Sequence, residues 1–468
     1  MAHKDDIALM AHLMRRAGFG ATLEELEDRV AKGYEETVEE LLHPEEQVPV
    51  NKYDLFRYHP YLFKPGTQGN RGGASFMFHM INTKAPLQEK MNLFWHGVFA
   101  TGVSKVDNYD EIMDMLDMFR EKGMGSYREI LLEVAKSPAM IYWLDNNENH
   151  AYAVNENWGR ELLELFSMGV GNYTETDVRE ASRSFTGWTR APKISRFPYN
   201  RFDAAFEYKP EDHDEGEKTF LGYTGNFNGE DIIDIICEQP ATARFICRYL
   251  YSYFVADETQ VAAWSVTPPR DPEAIETLAK VFRGSKCEIT PVLRTLFNSD
   301  FFKEARFSRI KSPAERVAGV MRLVGGANFP FAGFTELARQ PMYMGHDLLN
   351  PPSVEGWHTG KEWINSGTLM KRINFCSDMV GDLARPGVQA IIDKVKAQGD
   401  ISPEQLVDTC LDVLGPMEVS QETRQELINH TVKEGDLRWG TEQEDESSAQ
   451  RLAGMLQMVV ALRDYQYA

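Results

Sequence analysis

The sequence predicts a mainly α protein: a multi-helix body with an irregular, partly β insertion. Apolar residues recur at helical spacing through most of the 468 residues, and this spacing is typical of amphipathic helices. Glycines and capping motifs mark the ends of many of these stretches. Over residues 189–228 the helical period gives way to aromatics, prolines and glycines. We therefore expect an N-terminal helical part with an acidic core helix (1–188), the insertion (189–228), and a C-terminal helical part (229–468) packed on the first as one continuous body.

The first half of the chain predicts a series of short helices. Residues 5–43 indicate three helices, and residues 44–73, rich in proline, glycine and aromatics, indicate a loop. A helix is expected over 87–100, two more over 107–136, and a short apolar one over 139–144. The segment 155–188 predicts a pair of helices. The first ends at Gly169 and Gly171, and the second begins at a capping box formed by Thr174 and Asp177.

The first helix of this pair carries unusual charge beside its leucines. Glu156, Arg160 and Glu164 are spaced four residues apart, so each side chain faces the next, and Glu161 lies three residues before Glu164. These groups fit a network of ion pairs that joins helices. They also fit a carboxylate-lined site, because paired carboxylates bind metals or transfer protons.

Two other segments contain candidate site residues. Glu89 and His96 share one side of the helix over 87–100, where they would be metal ligands or hydrogen-bonded core residues. In the insertion, residues 206–208 and 218–223 predict the two strands of a hairpin, and His213 and Asp214 lie between them. An adjacent His and Asp can form a metal or proton-transfer pair, or serve only in a turn.

After the insertion the chain is helical again. Helices are predicted over 229–255, with a break at Pro240, and over 272–283, 290–298 and 313–324. Arg244 and Arg248 lie one turn apart and could pair with the acidic helix. The segment 343–363 is predicted to be an ordered loop, and the chain from residue 368 onward is predicted to be helical.

The amino-acid composition bears on which molecules the chain can bind and in which cellular compartment it is found. The net charge of −21 disfavours nucleic acid and anionic membranes as partners, because both require a basic surface. The longest apolar runs are too short to span a membrane, and the N-terminus lacks the pattern of a signal peptide. The five cysteines form no C-x-x-C pair and are expected to be reduced and mostly buried. As written, the chain is expected to be cytoplasmic.

The order of these segments resembles a bacterial family, the domain-of-unknown-function family 1800. The resemblance extends over nearly the whole chain and is carried by residues 12–22, 89–101, 155–178, 185–188, 213–222, 307–317, 350–357 and 363–375. The family has no settled biochemistry. Its members are commonly exported and often encoded beside a sulfatase-like protein, which the resemblance implies as a partner.

The chain departs from the family pattern in three ways. It lacks the export signal, it has Val98 where the family tends to place a second histidine, and it has His346 where glutamine is more common. The first departure weakens a periplasmic assignment, and the second weakens a metal site on the helix of His96.

Two functions from different classes remain open. In the first, the chain is an enzyme of unknown reaction, with or without a metal. Its acid and base groups would be His96, Arg160, Glu161, Glu164, His213 and Asp214. Trp188, Arg244 and Trp357 would bind the substrate, and Glu89, His96 and His213 would hold a divalent metal. In the second, it is a non-enzymatic assembly or chaperone-like partner of a sulfatase-like protein. The polar motifs would then be ion pairs and hydrogen bonds that hold helices together.

Overall fold

The computed structural model describes residues 2–59, 71–106, 108–192, 204–331 and 333–468. Most of these residues are helical, and the strands form two small two-stranded sheets. The predicted fold class, mainly α with a partly β insertion, is confirmed. None of the helices in the described ranges is long and apolar enough to cross a membrane.

The described chain divides into two compact units, each built from segments that are distant in the sequence. The first unit comprises residues 1–87, 302–347 and 359–468, and the second comprises 88–301 and 348–358. The division at residues 188 and 228 that the sequence suggests stays a prediction.

The first unit is helical, and its most extensive helix packing joins α21 (Ser366–Gly381) to α25 (Glu442–Ala461) and α18 (Pro313–Val324) to α21. Its helices are α1 (Ala2–Arg16), α2 (Leu23–Lys32), α3 (Tyr34–Leu42), α4 (Lys52–Tyr58), α5 (Arg71–Asn82), α18 (Pro313–Val324), α19 (Phe334–Leu337), α20 (Gln340–Tyr343), α21 (Ser366–Gly381), α22 (Pro386–Lys396), α23 (Pro403–Val413), α24 (Gln421–Val432) and α25 (Glu442–Ala461). The loop predicted over 44–73 is therefore wrong where α4 and the start of α5 lie, and its residues 60–70 fall outside the described ranges.

The second unit contains the remaining helices and all four described strands. Its elements are α6 (Pro86–Val98), α7 (Val103–Val106), α8 (Tyr109–Lys122), α9 (Tyr127–Lys136), α10 (Pro138–Trp143), α11 (Asn157–Glu164), α12 (Glu175–Ser184), β1 (Trp188–Pro192), β2 (Ala204–Tyr208), β3 (Lys218–Phe220), β4 (Tyr223–Gly225), α13 (Gly229–Glu238), α14 (Pro240–Phe254), α15 (Pro272–Gly284), α16 (Ile289–Asn298) and α17 (Asp300–Lys303). The first residues of α6 and the last of α17 belong to the first unit.

Local capping explains where several of these helices begin. The Thr174 hydroxyl accepts a hydrogen bond from the backbone N–H of Asp177, and the Asp177 carboxylate accepts one from the backbone N–H of Thr174. Ser312 and Glu315 form the same reciprocal pair at the start of α18. Each box satisfies N–H groups that have no partner within the helix. Both predicted helix starts are confirmed.

The strands of the insertion do not pair as predicted. β1 pairs antiparallel with β2, placing Trp188 opposite Tyr208, and β3 pairs antiparallel with β4, placing Phe220 opposite Tyr223. The predicted hairpin between 206–208 and 218–223 is therefore wrong. The strand that pairs with β2 is β1, which precedes it in the chain. β3 pairs with β4, which follows it directly after Leu221 and Gly222.

Candidate functional site

Helix α11 carries two carboxyl groups, Glu161 and Glu164, one turn apart and both half-buried. Burial, together with the nearby charges of Glu164 and Glu355, raises the pKa of Glu161 to about 7, while Arg160 opposes the change. A carboxyl group with this pKa takes up and releases a proton near neutral pH. α11 ends before Gly169, where the sequence places the end of this helix. It contains Arg160, Glu161 and Glu164, while Glu156 directly precedes its first residue.

The tyrosine before α12 joins this carboxyl pair. The Tyr173 hydroxyl donates a hydrogen bond to Oε2 of Glu164 at 3.4 Å. Burial, followed by the charge of Glu164, raises the pKa of Tyr173 above its ordinary value. Tyr173 therefore stays protonated and can stabilise Glu164 as a carboxylate.

Arg160 is engaged in ion pairs beside these residues. Its guanidinium binds the Glu175 carboxylate at 2.8 and 3.0 Å and that of Glu156 at 3.3 Å. These contacts connect α11 to the first turn of α12. They agree with the ion-pair interpretation of the motif, and they turn the guanidinium toward carboxylates of the protein.

Glu164 also lines a pocket of about 320 Å³. The walls come from the end of α11, the first turns of α14 and α15, and the segment between α14 and α15. Phe245 and Trp264 supply aromatic faces, and Arg244 and Arg248 supply cations. A small-molecule site typically has this character: a mostly apolar cavity with a few converging polar groups. Two of the predicted site residues, Glu164 and Arg244, thus lie in one cavity.

The aromatic wall is fixed by ring contacts. The Trp264 ring lies edge-on to Phe245, with centroids 5.3 Å apart, and to Tyr249 at 4.8 Å. The indole N–H of Trp264 donates to the Thr259 carbonyl at 2.8 Å. The guanidinium of Arg248 lies 4.5 Å from the centre of the same ring, a cation–π contact.

The two arginines of α14 have different surroundings. Arg248 is buried and binds Glu258 at 2.8 Å and the Thr267 carbonyl at 3.1 Å. Its Nε has no hydrogen-bond partner among the described residues. Arg244 is exposed and pairs with Glu276 at 2.8 Å. The prediction that both would pair with the acidic helix is wrong, because Glu258 and Glu276 supply the partner carboxylates.

His96 has a backbone partner. Its Nε2 accepts a hydrogen bond from the backbone N–H of Leu349 at 3.0 Å, and its ring contacts Trp357 with centroids 5.2 Å apart. Burial lowers the pKa of His96 to about 3, so the imidazole is neutral at ordinary pH. Gly356 packs so closely on α6 that an added Cβ would lie 2.5 Å from the Gly97 carbonyl. His96 and Trp357 therefore hold the segment 348–358, which carries Glu355, against α6.

Glu89 lies in a buried ion pair. Its carboxylate binds Arg120 through two contacts, one of them between Oε2 and the Arg120 guanidinium at 3.2 Å, and its side chain is 2% exposed. The Asn92 amide donates to the same Oε2 at 3.5 Å. This pair joins α6 to α8.

The predicted residues of the insertion are bound near the end of α12. His213 Nδ1 lies 2.9 Å from the Thr186 carbonyl, and Asp214 binds Arg183 at 2.7 and 3.1 Å. Trp188 is buried and donates its indole N–H to Asn228 at 2.8 Å. These contacts attach the insertion to α12 and α13. Across the described ranges, no three or more His, Cys, Asp or Glu side chains are grouped so as to hold a metal ion.

Several residues around the pocket could not be predicted as site residues from the sequence. Phe245 and Trp264 are indistinguishable in the sequence from ordinary core residues. Tyr173 is recognisable only as the residue before a helix cap. Glu355 lies in the segment 350–357, which the resemblance singles out, but only the structure shows its charge acting on Glu161.

Comparison with known proteins gives one match. A family model described as "Protein of unknown function (DUF1800)" matches residues 12–467. Neither a curated protein nor a solved structure matches the chain significantly.

Proposed function

The chain belongs to the DUF1800 family of proteins of unknown function, and we propose that it is an enzyme that performs general acid–base chemistry on a small organic molecule bound in the pocket beside α11. Glu164, which lines the pocket, is the catalytic group that exchanges a proton with the bound molecule. Glu161 is a positioning residue whose own carboxyl group takes up and releases a proton near neutral pH. The observation that carries the proposal is the pKa of Glu161, raised to about 7 beside a carboxyl group that lines a cavity.

The chemistry follows from the difference between the two carboxyl groups. Near pH 7 Glu161 is about half protonated, while Tyr173 hydrogen-bonds Glu164. Glu164 can then accept a proton from water or from a hydroxyl group of the substrate. Glu161 lies one turn away and stabilises the pair as its charge changes.

The pocket indicates what kind of molecule would bind. Trp264 and Phe245 offer flat apolar faces suited to a ring, and the exposed guanidinium of Arg244 lies in the same pocket wall. A bound oxygen would accept a hydrogen bond from this guanidinium. We therefore expect the ligand to carry a ring and an adjacent oxygen acceptor.

The test is a panel of 4-nitrophenyl esters and 4-nitrophenyl glycosides, in which ring and scissile oxygen are adjacent. Hydrolysis should fall at least about 100-fold in Glu164→Gln, as expected for a group that transfers a proton in the transition state. Glu161→Gln should retain some activity but lose the limb of the pH–rate profile near pH 7. Asn157→Ala, an exposed change on α11, serves as the control and should behave as wild type.

Binding is tested separately from turnover. The probe 4-nitrophenol should quench the fluorescence of Trp264, identified as the part of the signal that Trp264→Phe removes. Quenching that is equal in both proteins, or turnover that Glu164→Gln leaves unchanged, would contradict the proposal.

The role as partner of a sulfatase-like protein remains a prediction from the resemblance. A stoichiometric partner recovered with the chain, together with a panel that shows neither turnover nor quenching, would favour it.

A further inference from the structure

Two cysteines that lie fifty residues apart in the sequence meet in the second unit. Cys237 is in the last turn of α13, and Cys287 lies in the short connection between α15 and α16. The thiol of Cys287 donates to the backbone carbonyl of Cys237 at 3.4 Å. Both residues are free thiols.

This pair differs from the other three cysteines in access and in partner. Cys247, Cys376 and Cys410 are fully buried. Cys287 is 6% exposed and Cys237 is half-buried, so a small reagent can reach the pair from the side of Cys237. The neighbouring side chain of Cys237 lowers the pKa of the Cys287 thiol. A thiolate is the reactive form of cysteine.

The backbone holds Cys287 in place. Lys286 and Cys287 both have positive φ, 58° and 67°, a region that residues with a side chain seldom occupy. The Cys287 N–H donates to the Phe282 carbonyl at 2.8 Å, and the Cys287 carbonyl accepts from the N–H of Tyr127 at 2.9 Å. The connection is thus fixed to α15 on one side and α9 on the other, and it keeps one sulfur beside the other.

We propose that Cys237 and Cys287 are a redox pair that a small peroxide converts to a reversible disulfide. The Cys287 thiolate attacks one oxygen of hydrogen peroxide. The O–O bond breaks, hydroxide leaves, and Cys287 becomes a sulfenic acid. The Cys237 sulfur then attacks the Cys287 sulfur, the S–O bond breaks, and water leaves with the proton of the Cys237 thiol. In total, two thiols and one peroxide give one disulfide and two waters.

The test uses the full chain treated with a slight excess of hydrogen peroxide and then unfolded under non-reducing conditions. The number of titratable thiols should fall from the five in the sequence to three, and dithiothreitol should restore all five. After tryptic digestion, the peptide 219–244, which contains Cys237, should be joined to the peptide 287–294, which contains Cys287. Neither peptide contains another cysteine, so the linkage is unambiguous.

Two variants make the result specific. Cys247→Ser removes a buried thiol outside the pair and should still form the 219–244 to 287–294 link. Cys237→Ser should form no link, and its Cys287 should stop at a sulfenic acid that dimedone traps. The proposal is overturned if wild-type protein keeps five thiols, if the link joins other cysteines, or if Cys287 is oxidised to the sulfinic acid without a link. The outcome is independent of acid–base chemistry in the pocket, since neither thiol lines it.

Discussion

Replacing Glu161 with glutamine should change how stability depends on pH. In the folded chain the pKa of Glu161 is raised from 4.5 to about 7. The folded state therefore holds the Glu161 proton more tightly than the unfolded state does. Its contribution to stability is complete below pH 4.5 and is lost as the pH rises to about 7, because over that window the folded state binds more protons. Glu161→Gln has no ionisable group and does not undergo this loss.

The magnitude follows from the size of the shift. A pKa difference of this size corresponds to roughly 3 kcal/mol. Because the carboxyl group is only half-buried, solvent screening should reduce this to about 1.5 kcal/mol. The free energy of unfolding of Glu161→Gln, relative to wild type, should thus be about 1.5 kcal/mol higher at pH 8 than at pH 5.

The assay is urea unfolding followed by tryptophan fluorescence at both pH values. Asn157→Ala is the matched control, because it changes an exposed residue of α11 without removing an ionisable group, and its difference from wild type should stay constant with pH. If the difference between Glu161→Gln and wild type is also the same at pH 5 and pH 8, the carboxyl group ionises in its ordinary range and the reasoning is refuted.

Three further substitutions test the contacts around the site. Glu89→Gln should lower the free energy of unfolding by about 3 kcal/mol in urea melts, because the partner Arg120 keeps its charge in a largely buried place; a loss under about 0.5 kcal/mol, typical of a surface pair, would contradict this. His96→Ala should cost about 2 kcal/mol at pH 7, since the buried N–H of Leu349 loses its acceptor. With the pKa of His96 lowered from 6.5 to about 3, wild type itself loses stability below pH 6.5, so this cost should shrink by about 2 kcal/mol on going to pH 5; a cost that is constant with pH would show that His96 is not buried as a neutral ring. Gly356→Ala should lower the melting temperature measured by calorimetry, because φ is +80° there and the new Cβ would lie 2.5 Å from a carbonyl of α6; an unchanged melting temperature would mean that this close contact is absent.

What the sequence predicts well is local. The helix start at Thr174 follows from hydrogen bonds between residues three apart, so the capping pattern is sufficient to locate it. The acidic motif around α11 can also be predicted from the sequence, because residues three or four apart on a helix are always neighbours.

What the sequence does not predict is distant pairing. The strand partners in the insertion depend on which segments meet in space, and alternation along one strand contains no information about its partner. Arg244 and Arg248 were matched to the nearest acidic helix, although Glu276 and Glu258 reach them from elements later in the chain. The contact of Cys287 with Cys237 likewise joins residues whose spacing fits no sequence motif.

Only the part of the candidate site that lies on one helix can be predicted from the sequence. Glu161 and Glu164 could be named from their helix, but the aromatic wall of Phe245 and Trp264 could not, since apolar residues at helical spacing usually form the core. The choice between an ion-pair lock and a carboxyl site depends on burial. The structure supplies that burial, and it is what raises the pKa of Glu161.

The most direct test of the central claim is a titration of the glutamate side-chain carboxyl carbons by ¹³C NMR, on protein labelled at that carbon. We expect one resonance with a midpoint near pH 7, which should be missing from the spectrum of Glu161→Gln. In Glu164→Gln its midpoint should move to a lower pH, because that variant removes a neighbouring negative charge. A Glu161 resonance with its midpoint near the ordinary value of 4.5, unaffected by Glu164→Gln, would contradict the raised pKa of Glu161. The charged residues of α11 would then serve only in ion pairs.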